Sequence, residues 1–271
     1  MSHLEGYTGL ADDEAFCMQG STDTTVLTKK IAFLKQVSLL AGLTDEDLAR
    51  MSRDLQLRDY GKDQVIFRQG DASSELFIIL RGRIRIFSVT PSGHETSIVL
   101  FSTGDIIGEF AAIDLLPRSA TAKTVTPCTL AAIRGDRFLE YLRTIPDLSI
   151  GMLRLLAAKA RWTTTYAEAL AQYDAAGRLL HILLLYNERF GEEQEPGKRY
   201  ILDLGLNQSD LASIVGARRE RINRILQNWH KRGLIEYLGG RIEILDLPRA
   251  VQERDLHMEA SLAKSDWEQP D

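Results

Sequence analysis

The chain has 271 residues, of which 44% are hydrophobic and 26% charged, a composition typical of a globular protein with roughly two domains of about 100–200 residues each. Its longest purely apolar runs, such as residues 182–186, are far shorter than the about 20 residues that span a bilayer, so we expect no membrane partner. Residues 1–28 contain no Lys or Arg and lack the basic start of a signal peptide, which favours a cytoplasmic protein.

Two cysteines, Cys17 and Cys128, stand far apart in the chain. Their number excludes a four-cysteine zinc site, a four-cysteine iron–sulfur cluster and a disulfide scaffold. The five histidines are scattered and none forms a ligand pair at helical spacing. We therefore expect no bound metal.

The formal net charge of −5 is unevenly distributed. Residues 1–28 hold five acidic residues and no basic one, and residues 252–271 hold six acidic and two basic ones, so the remainder carries +4. Within that remainder, residues 207–241 hold seven Lys or Arg and three Asp or Glu. Such a local basic stretch can bind nucleic acid, although a solvated helix face has the same composition.

The predicted elements of the first half are an acidic arm, two helices and a set of strands. Residues 1–28 are polar and acidic without a sustained period, which predicts a flexible arm. A helical pattern covers 28–53, and Thr44 predicts the capped start of a second short helix at 44–53. Many short β-rich runs then predict a β-sandwich or barrel. These runs are residues 64–68, 75–80, 83–89, 96–101, 121–126 and 128–133.

A long helical pattern begins near Pro146 and is interrupted at Asp174 and Gly177, where we expect a hinge. One apolar stripe repeats at spacings of three and four residues, which is typical of a helix that pairs with a second copy of itself and predicts a homodimer. The stripe is Leu153, Leu156, Ala160, Thr163, Ala167 and Leu170. A second stripe, from Leu148 to Tyr166, predicts contact with the chain's own strands. The alternative is a helix buried within one monomer.

Two helices joined by a glycine follow in the basic stretch. Asn207 and Asp210 form the pattern of a capping box before a helix at 208–215, and Gly216 permits a tight turn to a second helix at 218–230. This spacing predicts a helix-turn-helix. A capped pair of helices in a domain without DNA is the alternative.

The second of these helices is basic at its start. Its first two turns carry Arg218, Arg219, Glu220, Arg221 and Arg224. These turns are the part of a recognition helix that meets base edges in the major groove, where Arg can pair with guanine and Glu with cytosine. A carboxylate among arginines would repel phosphate unless it had a base partner or oriented an arginine, so Glu220 favours base recognition.

A glycine-rich segment at 104–122 combines a short predicted helix with one acid and one arginine. The glycine that opens the helix leaves backbone amides free, and the helix dipole favours an anion there. Arg118, nine residues after Glu109, can fold back as a charged donor. A carboxylate beside an anion suits a ligand with sugar hydroxyls, so the segment predicts a nucleotide inside the barrel. The alternative is a buried Glu109–Arg118 salt bridge in an empty barrel.

The residues Gly108-Glu109-Phe110 and Arg118-Ser119-Ala120 resemble the phosphate-binding cassette of the catabolite-activator family of bacterial transcription regulators. The similarity extends over about residues 30–246. It implies an α+β fold with a cyclic-nucleotide-binding β-roll, or jelly-roll, at 29–145, a dimerisation helix at 146–173 and a winged helix-turn-helix at 174–247. A strand at 241–245 would close the wing hairpin.

The resemblance also implies the ligand contacts. Glu109 would bind the ribose 2′-hydroxyl, Arg118 and Ser119 the cyclic phosphate, and hydroxyl residues of the long helix the purine, at the seam between subunits. The complete implied set is Ile107, Gly108, Glu109, Phe110, Arg118, Ser119, Thr163 and Thr164.

For DNA, the residues that match the base-reading positions are Arg219, Glu220 and Arg224, and the resemblance implies a palindromic site with TGTGA-like halves. The complete implied set is Gln208, Arg218, Arg219, Glu220, Arg221, Asn223 and Arg224. Double-stranded DNA and RNA polymerase are the expected macromolecular partners.

A cyclic-nucleotide-responsive homodimer is the function that this resemblance implies, with cAMP the first and cGMP the second candidate ligand and no other cofactor. The alternative is a constitutive or other-effector regulator of the same fold with a structural or vestigial pocket. An enzyme acting on cyclic nucleotides would need a metal or a base and a nucleophile, and the cassette supplies neither. The helix-turn-helix disfavours a regulatory subunit that does not bind DNA.

The chain departs from the family pattern in several places. Its first 28 residues and a polar tail predicted at 248–271 extend beyond the usual family ends. Lys159 stands where some members carry an arginine near the glutamate. Haem-binding members use a His or Cys near the barrel, but His94 falls on a predicted hairpin tip and Cys128 in a predicted strand, so we expect no haem.

Overall fold

The computed structural model describes residues 31–263 of the chain. Its first part is a β-roll of two antiparallel sheets in the strand orders β1-β8-β3-β6 and β2-β7-β4-β5. The strands are β1 (Gln56–Tyr60), β2 (Val65–Phe67), β3 (Leu76–Arg81), β4 (Arg83–Val89), β5 (Glu95–Ser102), β6 (Ile106–Ile107), β7 (Thr121–Thr124) and β8 (Cys128–Ile133). The accompanying helices are α1 (Asp45–Ser52), α2 (Glu109–Asp114) and α3 (Gly135–Thr144).

Strand β3 contributes to two hydrophobic cores. All of its residues except the last are buried. Phe77 and Ile79 pack into the core between the two sheets, whereas Leu76 and Ile78 pack into a core with α1, α3 and the long helix that follows. Side chains of a strand alternate between its two faces, so one continuous apolar run supplies both cores and holds the helices against the roll.

The helix predicted over 28–53 is broken in the structure. Helical residues up to Leu34 are separated from α1, which starts behind its Thr44 cap, by a series of turns. In these turns the Val37 amide donates to the Leu34 carbonyl at 3.1 Å, and the Leu40 amide donates to the Val37 carbonyl at 2.8 Å. Turns of this type repeat every three residues, so they bury the same apolar side chains that suggested a helix. The second predicted helix, α1, is confirmed.

The long helix α4 (Pro146–Gln172) follows α3 and covers the range predicted for a long helix, 146–173, to within one residue. Leu148 and Met152 are buried in the core of the roll, and Trp162 and Tyr166 pack against the core of the C-terminal part. The second apolar stripe therefore contacts the roll at its start, as predicted, whereas Trp162 and Tyr166 pack against the C-terminal core and reach β5 through hydrogen bonds.

The predicted hinge lies between α4 and α5 (Ala175–Phe190). Tyr173 and Asp174 have extended backbones, and the Asp174 carboxylate caps α5 by accepting hydrogen bonds from the amides of Ala176 and Gly177. Gly177 is part of α5 and does not interrupt it. Its role is close packing, because a Cβ there would come within 2.7 Å of the His257 Cβ.

The C-terminal part is a winged helix-turn-helix. It contains β9 (Glu192–Glu195), β10 (Arg199–Asp203), α6 (Gln208–Val215), α7 (Arg219–Lys231), β11 (Ile235–Leu238) and β12 (Arg241–Ile244). Its sheet has the order β11-β12-β10-β9, and its core includes the fully buried Trp229 of α7. Strand β9 is at the edge of this sheet, and its four side chains are charged or amide groups that all face solvent.

The prediction of a polar tail from residue 248 is wrong for residues 248–263, the part of it that the structure describes. The chain forms helix α8 (Leu247–Ala263), which packs against α5. Ala250 is fully buried, and the Glu253 carboxylate accepts two hydrogen bonds from Arg232. A small residue at the contact and a paired charge allow a highly charged segment to dock. The predicted acidic arm at 1–28 lies outside the described residues.

The remaining strands of the roll agree with the sequence to within two residues, and 83–89 and 128–133 agree at both ends. Two strands were not predicted. Strand β1 lies at a sheet edge and carries Arg58 and Asp59, so it lacks the apolar pattern of a buried strand. Strand β6 has only two residues, which are too few to show a pattern. Among the described helices, none combines the length and apolar character needed to cross a membrane.

Candidate functional site

The predicted cassette forms a tight corner around one buried arginine. Gly108 precedes α2 with a φ of +81°, a conformation that favours glycine. A Cβ at this position would come within 2.5 Å of the Arg118 Nη1 atom and 2.8 Å of the Glu75 carbonyl oxygen. The glycine therefore serves both the turn and the close approach of the guanidinium.

Arg118 is 3% exposed, and neutral oxygens accept the hydrogen bonds of its guanidinium. It donates hydrogen bonds to the carbonyl oxygens of Gly108, at 2.9 Å, and Glu75, at 2.6 Å. It also bonds the Ser73 hydroxyl at 3.0 Å and lies 4.2 Å from the centre of the Phe67 ring. Its Nε atom has no hydrogen-bond partner among the described residues. Burial lowers the pKa of Arg118 from its usual value, as expected for a cation held by neutral oxygens.

Glu109 is paired with Lys159, so the alternative of a Glu109–Arg118 salt bridge does not describe this pocket. The Lys159 Nζ atom lies 2.6 Å from the Glu109 Oε1 atom and 2.9 Å from the Ile106 carbonyl oxygen. The two side chains are 4% and 20% exposed, for Glu109 and Lys159 respectively. Since Lys159 belongs to α4, this buried ion pair connects the cassette to the long helix.

A cavity of about 720 Å³ lies between the roll and α4. The predicted ligand residues that line it are Ile107, Gly108, Glu109, Phe110, Arg118, Ser119 and Thr163. Lys159, Trp162 and apolar residues of β4 and β5 are among the other lining residues, which include the charged Asp105, Arg154 and Arg189. This volume is within the range of about 300–1,000 Å³ typical of small-molecule sites, so the roll is not filled by its own side chains.

Thr164 does not line the cavity of its own chain. Its side chain is exposed on α4, and its hydroxyl donates to the Ala160 carbonyl at 3.2 Å. The Thr163 hydroxyl makes the same kind of bond to the Lys159 carbonyl at 3.0 Å. Both hydroxyls can also accept a hydrogen bond from a ligand.

The helix-turn-helix has the predicted local geometry. The Asn207 side chain accepts hydrogen bonds from the amides of Ser209 and Asp210 at 2.8 and 3.0 Å, and the Asp210 carboxylate accepts one from the Asn207 amide at 2.9 Å. Gly216 ends α6 with a φ of +64°. Helix α7 begins one residue later than predicted, with Arg218 at its N-cap position.

The predicted DNA-binding side chains lie together at the start of the two helices. The exposed members are Arg218, Arg219, Glu220, Arg221 and Arg224. Gln208 and Asn223 are half-buried, and their side-chain amides are 3.5 Å apart. The Arg221 Nη2 atom is 3.9 Å from the Asp174 carboxylate, so this arginine is on the flank of α7 that faces the hinge.

Lys159 lines the cavity and Ser73 contacts Arg118, and neither is among the predicted ligand residues. Ser73 lies in a loop without a motif, and nothing in its spacing indicates the contact. Lys159 had two signals: it stands where some family members carry an arginine near the glutamate, and it precedes Thr163 by one helical turn, on the same face of the helix.

Comparisons with known proteins agree with this two-domain arrangement. Residues 57–144 match the cyclic nucleotide-binding domain, and residues 177–249 match the Crp-like helix-turn-helix domain. A CRP-like cAMP-activated global transcriptional regulator of Mycobacterium tuberculosis is 29% identical over 216 residues, which cover 80% of this chain and 96% of that protein. The cyclic AMP receptor protein of Thermus thermophilus is 26% identical over 212 residues, which cover 78% of this chain and 94% of that protein.

Solved structures share the fold. FixK2 from Bradyrhizobium japonicum has a TM-score of 0.65 at 16% identity, over 73% of this chain and 96% of that one. The c-di-GMP responsive global regulator CLP from Xanthomonas campestris has a TM-score of 0.64 at 23% identity, over 75% and 99%. The predicted α+β fold with a β-roll, a long helix and a winged helix-turn-helix is thus confirmed. With both domains present in this order, the chain belongs to the CRP/FNR family of transcription regulators.

Proposed function

We propose that this protein is a homodimeric regulator that binds a cyclic nucleotide, cAMP in the first place and cGMP in the second, and recognises a palindromic TGTGA-like DNA site. The observation that carries the proposal is the buried Arg118, which lines a cavity that also contains Glu109. A cation and a carboxylate in one cavity suit a ligand with a phosphate and a hydroxyl on the same sugar. The names of two relatives, a cAMP-activated regulator and a cyclic AMP receptor protein, support cAMP as the first candidate.

In the proposed complex, Arg118 and Ser119 bind the cyclic phosphate, and Glu109 accepts a hydrogen bond from the ribose 2′-hydroxyl. Lys159 pairs with the Glu109 Oε1 atom at 2.6 Å, so it holds the carboxylate in position. The purine lies along the apolar wall and points toward Thr163 on α4. Thr164 contacts the purine bound to the other subunit, which fits its exposed position.

The homodimer is supported by the exposed stripe of α4. Leu153 is 62% and Leu170 is 43% exposed, although their spacing is that of a helix–helix seam. The end of the cassette adds Leu115 and Leu116, which are 68% and 63% exposed. Large exposed leucines on neighbouring elements are typical of a surface that another protein chain covers. A second copy of α4 satisfies this need through the same stripe.

DNA recognition is supported by the exposed basic start of α7. In the proposed dimer the two copies of α7 enter major grooves about one turn of DNA apart. Arg219, Glu220 and Arg224 read bases, and the neighbouring arginines neutralise phosphates. The proposed regulator acts in the cytoplasm, where the chromosome is, and contacts RNA polymerase there.

Ligand binding is proposed to act through the break between α4 and α5. The nucleotide contacts α4 directly, and the backbone at Tyr173 and Asp174 is the point where the helix-turn-helix can change its orientation. A ligand shifts such an equilibrium only if it binds the DNA-competent arrangement more tightly than the other.

Calorimetric titration of the full-length protein with cAMP and with cGMP tests the proposal. We expect one of them to bind and Arg118→Ala to abolish binding, because the variant loses the counter-charge to the phosphate. Arg137→Ala is the control, since Arg137 pairs with Asp54 and Glu140 within the roll, away from the cavity. Failure of both nucleotides to bind at millimolar concentration would contradict the sensor role, and so would unchanged affinity in Arg118→Ala.

The second candidate is a regulator that binds DNA without a nucleotide. The Lys159–Glu109 ion pair favours it, because it satisfies the pocket carboxylate within the protein itself. DNA binding at one salt concentration, measured with and without nucleotide, separates the two functions. A nucleotide effect on DNA affinity supports the sensor, and equal affinities support the constitutive regulator.

A further inference from the structure

One buried arginine joins the β-roll to the helix-turn-helix. Arg85 of β4 is 6% exposed, and its Nη1 atom lies 2.9 Å from the Ser97 hydroxyl of β5. The same atom lies 3.3 Å from the Ser213 hydroxyl and 3.4 Å from the Asp210 carboxylate, both on α6. Its Nη2 atom pairs with the Glu95 carboxylate. The guanidinium therefore binds side chains of two domains at once.

The strands that carry this contact are also a wall of the ligand cavity. Ile86 follows Arg85 on β4, Ile98 follows Ser97 on β5, and both isoleucines line the cavity. Neighbouring residues of a strand point to opposite faces, so β4 has the cavity on one face and the contact of Arg85 with α6 on the other. The pairing register shifts between Ile86 and Phe87, a bulge that lies between the two sites.

Further contacts follow the same route. The Trp162 indole donates to the Ile98 carbonyl at 3.3 Å, and the Tyr166 hydroxyl donates to the Ile214 carbonyl of α6 at 2.6 Å. The Ser97 and Ser213 hydroxyls are hydrogen-bonded to each other. Strand β5 thus contacts both α4, beside the cavity, and the first helix of the helix-turn-helix.

The charges make this contact depend on one cation. Glu95 comes from the roll and Asp210 from α6, so the two carboxylates on either side of Arg85 belong to different domains. Without the guanidinium the two negative charges would face each other, and the hydroxyls beside them would lose a donor. Such a loss opposes docking of the domains.

We propose that Arg85 is a positioning residue that couples the nucleotide pocket to the orientation of the helix-turn-helix. The inference rests on the proposed function. A ligand that displaces the cavity face of β4 and β5 also changes the position at which α6 packs against these strands. This effect adds to any effect at the break between α4 and α5. Asp210 also forms the capping box of α6, so the contact acts on the end of the helix that precedes the recognition helix.

The test compares Arg85→Met with wild type in the full-length protein. Methionine keeps an unbranched apolar stem at this position but is shorter than arginine, and it removes the charge and the donors. We expect Arg85→Met still to bind cAMP. Allosteric coupling typically changes an affinity by a factor of about 5–150. We expect the ratio of the DNA affinities with and without cAMP to be at least about fivefold smaller in Arg85→Met than in wild type. The effect of DNA on cAMP affinity must fall by the same factor.

Two variants separate coupling from a general loss of structure. Arg85→Lys retains the charge, and its ratio should lie between those of wild type and Arg85→Met. Arg137→Met removes an arginine whose partners all lie within the roll, and it should keep the wild-type ratio. Arg85→Met with an unchanged ratio overturns the inference.

If the wild-type protein responds to neither nucleotide, the proposed function is contradicted and the ratio of DNA affinities no longer tests Arg85. A second measurement is used in that case. Hydrogen exchange of the α6 amides then measures the docking directly. Faster exchange over Gln208–Val215 in Arg85→Met than in Arg137→Met supports the role of Arg85, and equal rates overturn it.

Discussion

Arg118 and Lys159 are buried in one pocket but are stabilised differently. Lys159 has a carboxylate partner at 2.6 Å, whereas Arg118 is held by carbonyl and hydroxyl oxygens. In the proposed complex, a ligand phosphate would give Arg118 the ion pair that Lys159 already has in Glu109. This difference in pairing favours Arg118 over Lys159 as the phosphate ligand.

Glu220 is the residue whose replacement separates base reading from general DNA affinity. We expect Glu220→Ala to relax the preference at one base pair of each half-site by about 1–3 kcal/mol, because a carboxylate can accept from a cytosine amino group. Affinity for unrelated DNA should stay or rise, since a negative charge near phosphate is removed. The base preference is measured by binding to a set of DNA sites in which each position of the half-site is varied through all four base pairs. Gln227→Ala, a change at another exposed residue of α7, is the control. A uniform loss over all sites would contradict base reading.

His181 gives the hinge region a pH dependence. Its ring stacks on Tyr173 with 5.3 Å between centres, and neither ring nitrogen has a hydrogen-bond partner among the described residues. Burial and then Arg254 lower the pKa of His181, and Glu168 opposes them. Below a pH of about 6.5, the usual histidine pKa, the unfolded chain binds a proton that the folded chain does not. Stability is therefore full above that pH and declines as the pH falls toward the lowered pKa of the folded state.

The variant His181→Phe tests this dependence, because it retains the stacking and removes the titrating group. We expect the melting temperature of His181→Phe to exceed that of wild type by more at pH 5.5 than at pH 7.5. His94→Gln, at the exposed tip of the β4–β5 hairpin, is the control. A difference that does not change with pH, or one that His94→Gln shares, would contradict the assignment.

At the scale of elements, α8 is the clearest departure from the sequence-based expectation. The helix packs on α5, pairs Glu253 with Arg232 at the end of α7, and brings His257 within 3.2 Å of the Asp174 carboxylate. It therefore joins the recognition helix to the residue that caps α5. The matched helix-turn-helix domain ends at residue 249, so most of α8 is an addition to it.

The Glu253–Arg232 pair allows this role to be measured. A hydrogen bond to a charged group contributes about 1.5–3 kcal/mol to stability. The partial exposure of Arg232 to water reduces this contribution. We therefore expect Glu253→Gln to lower the free energy of unfolding by about 1–2 kcal/mol. Arg232 lowers the pKa of Glu253, so this stabilisation is present above pH ~4.5 and declines as the pH falls. Chemical denaturation checks the value. Glu195→Gln, which removes an exposed pair with Lys198, is the control, and an equal loss in both would contradict the docking role.

At the scale of the whole molecule, the seam of α4 predicts the oligomeric state. We expect Leu153→Glu combined with Leu170→Glu to give monomers in light scattering, because a charge buried in a helix seam is strongly unfavourable. Affinity for a palindromic site should fall with it, since the two half-sites would no longer be bound by one linked pair. Arg161→Glu places the same charge on α4 outside the seam and should leave the dimer intact. Dimers of unchanged stability in the double variant would contradict the predicted interface.

Much of this protein could be predicted because its signals are local. The capping box of Asn207 and Asp210, the turn at Gly216 and the cassette around Gly108 depend on residues within about a dozen positions of one another. Backbone conformation and helix capping are decided at that range, so the family, the order of the domains and the cassette that lines the cavity follow from the amino-acid sequence by itself.

Only the tertiary structure decided which charged groups meet. Lys159 reaches Glu109 from 50 residues away, Arg85 meets Asp210 across two domains, and Glu253 docks a helix where a polar tail was expected. In each case the composition of the segment alone indicates a solvated charge, and the pairing depends on how the elements pack. Burial makes such pairs selective, because a charge removed from water needs a partner at a defined distance.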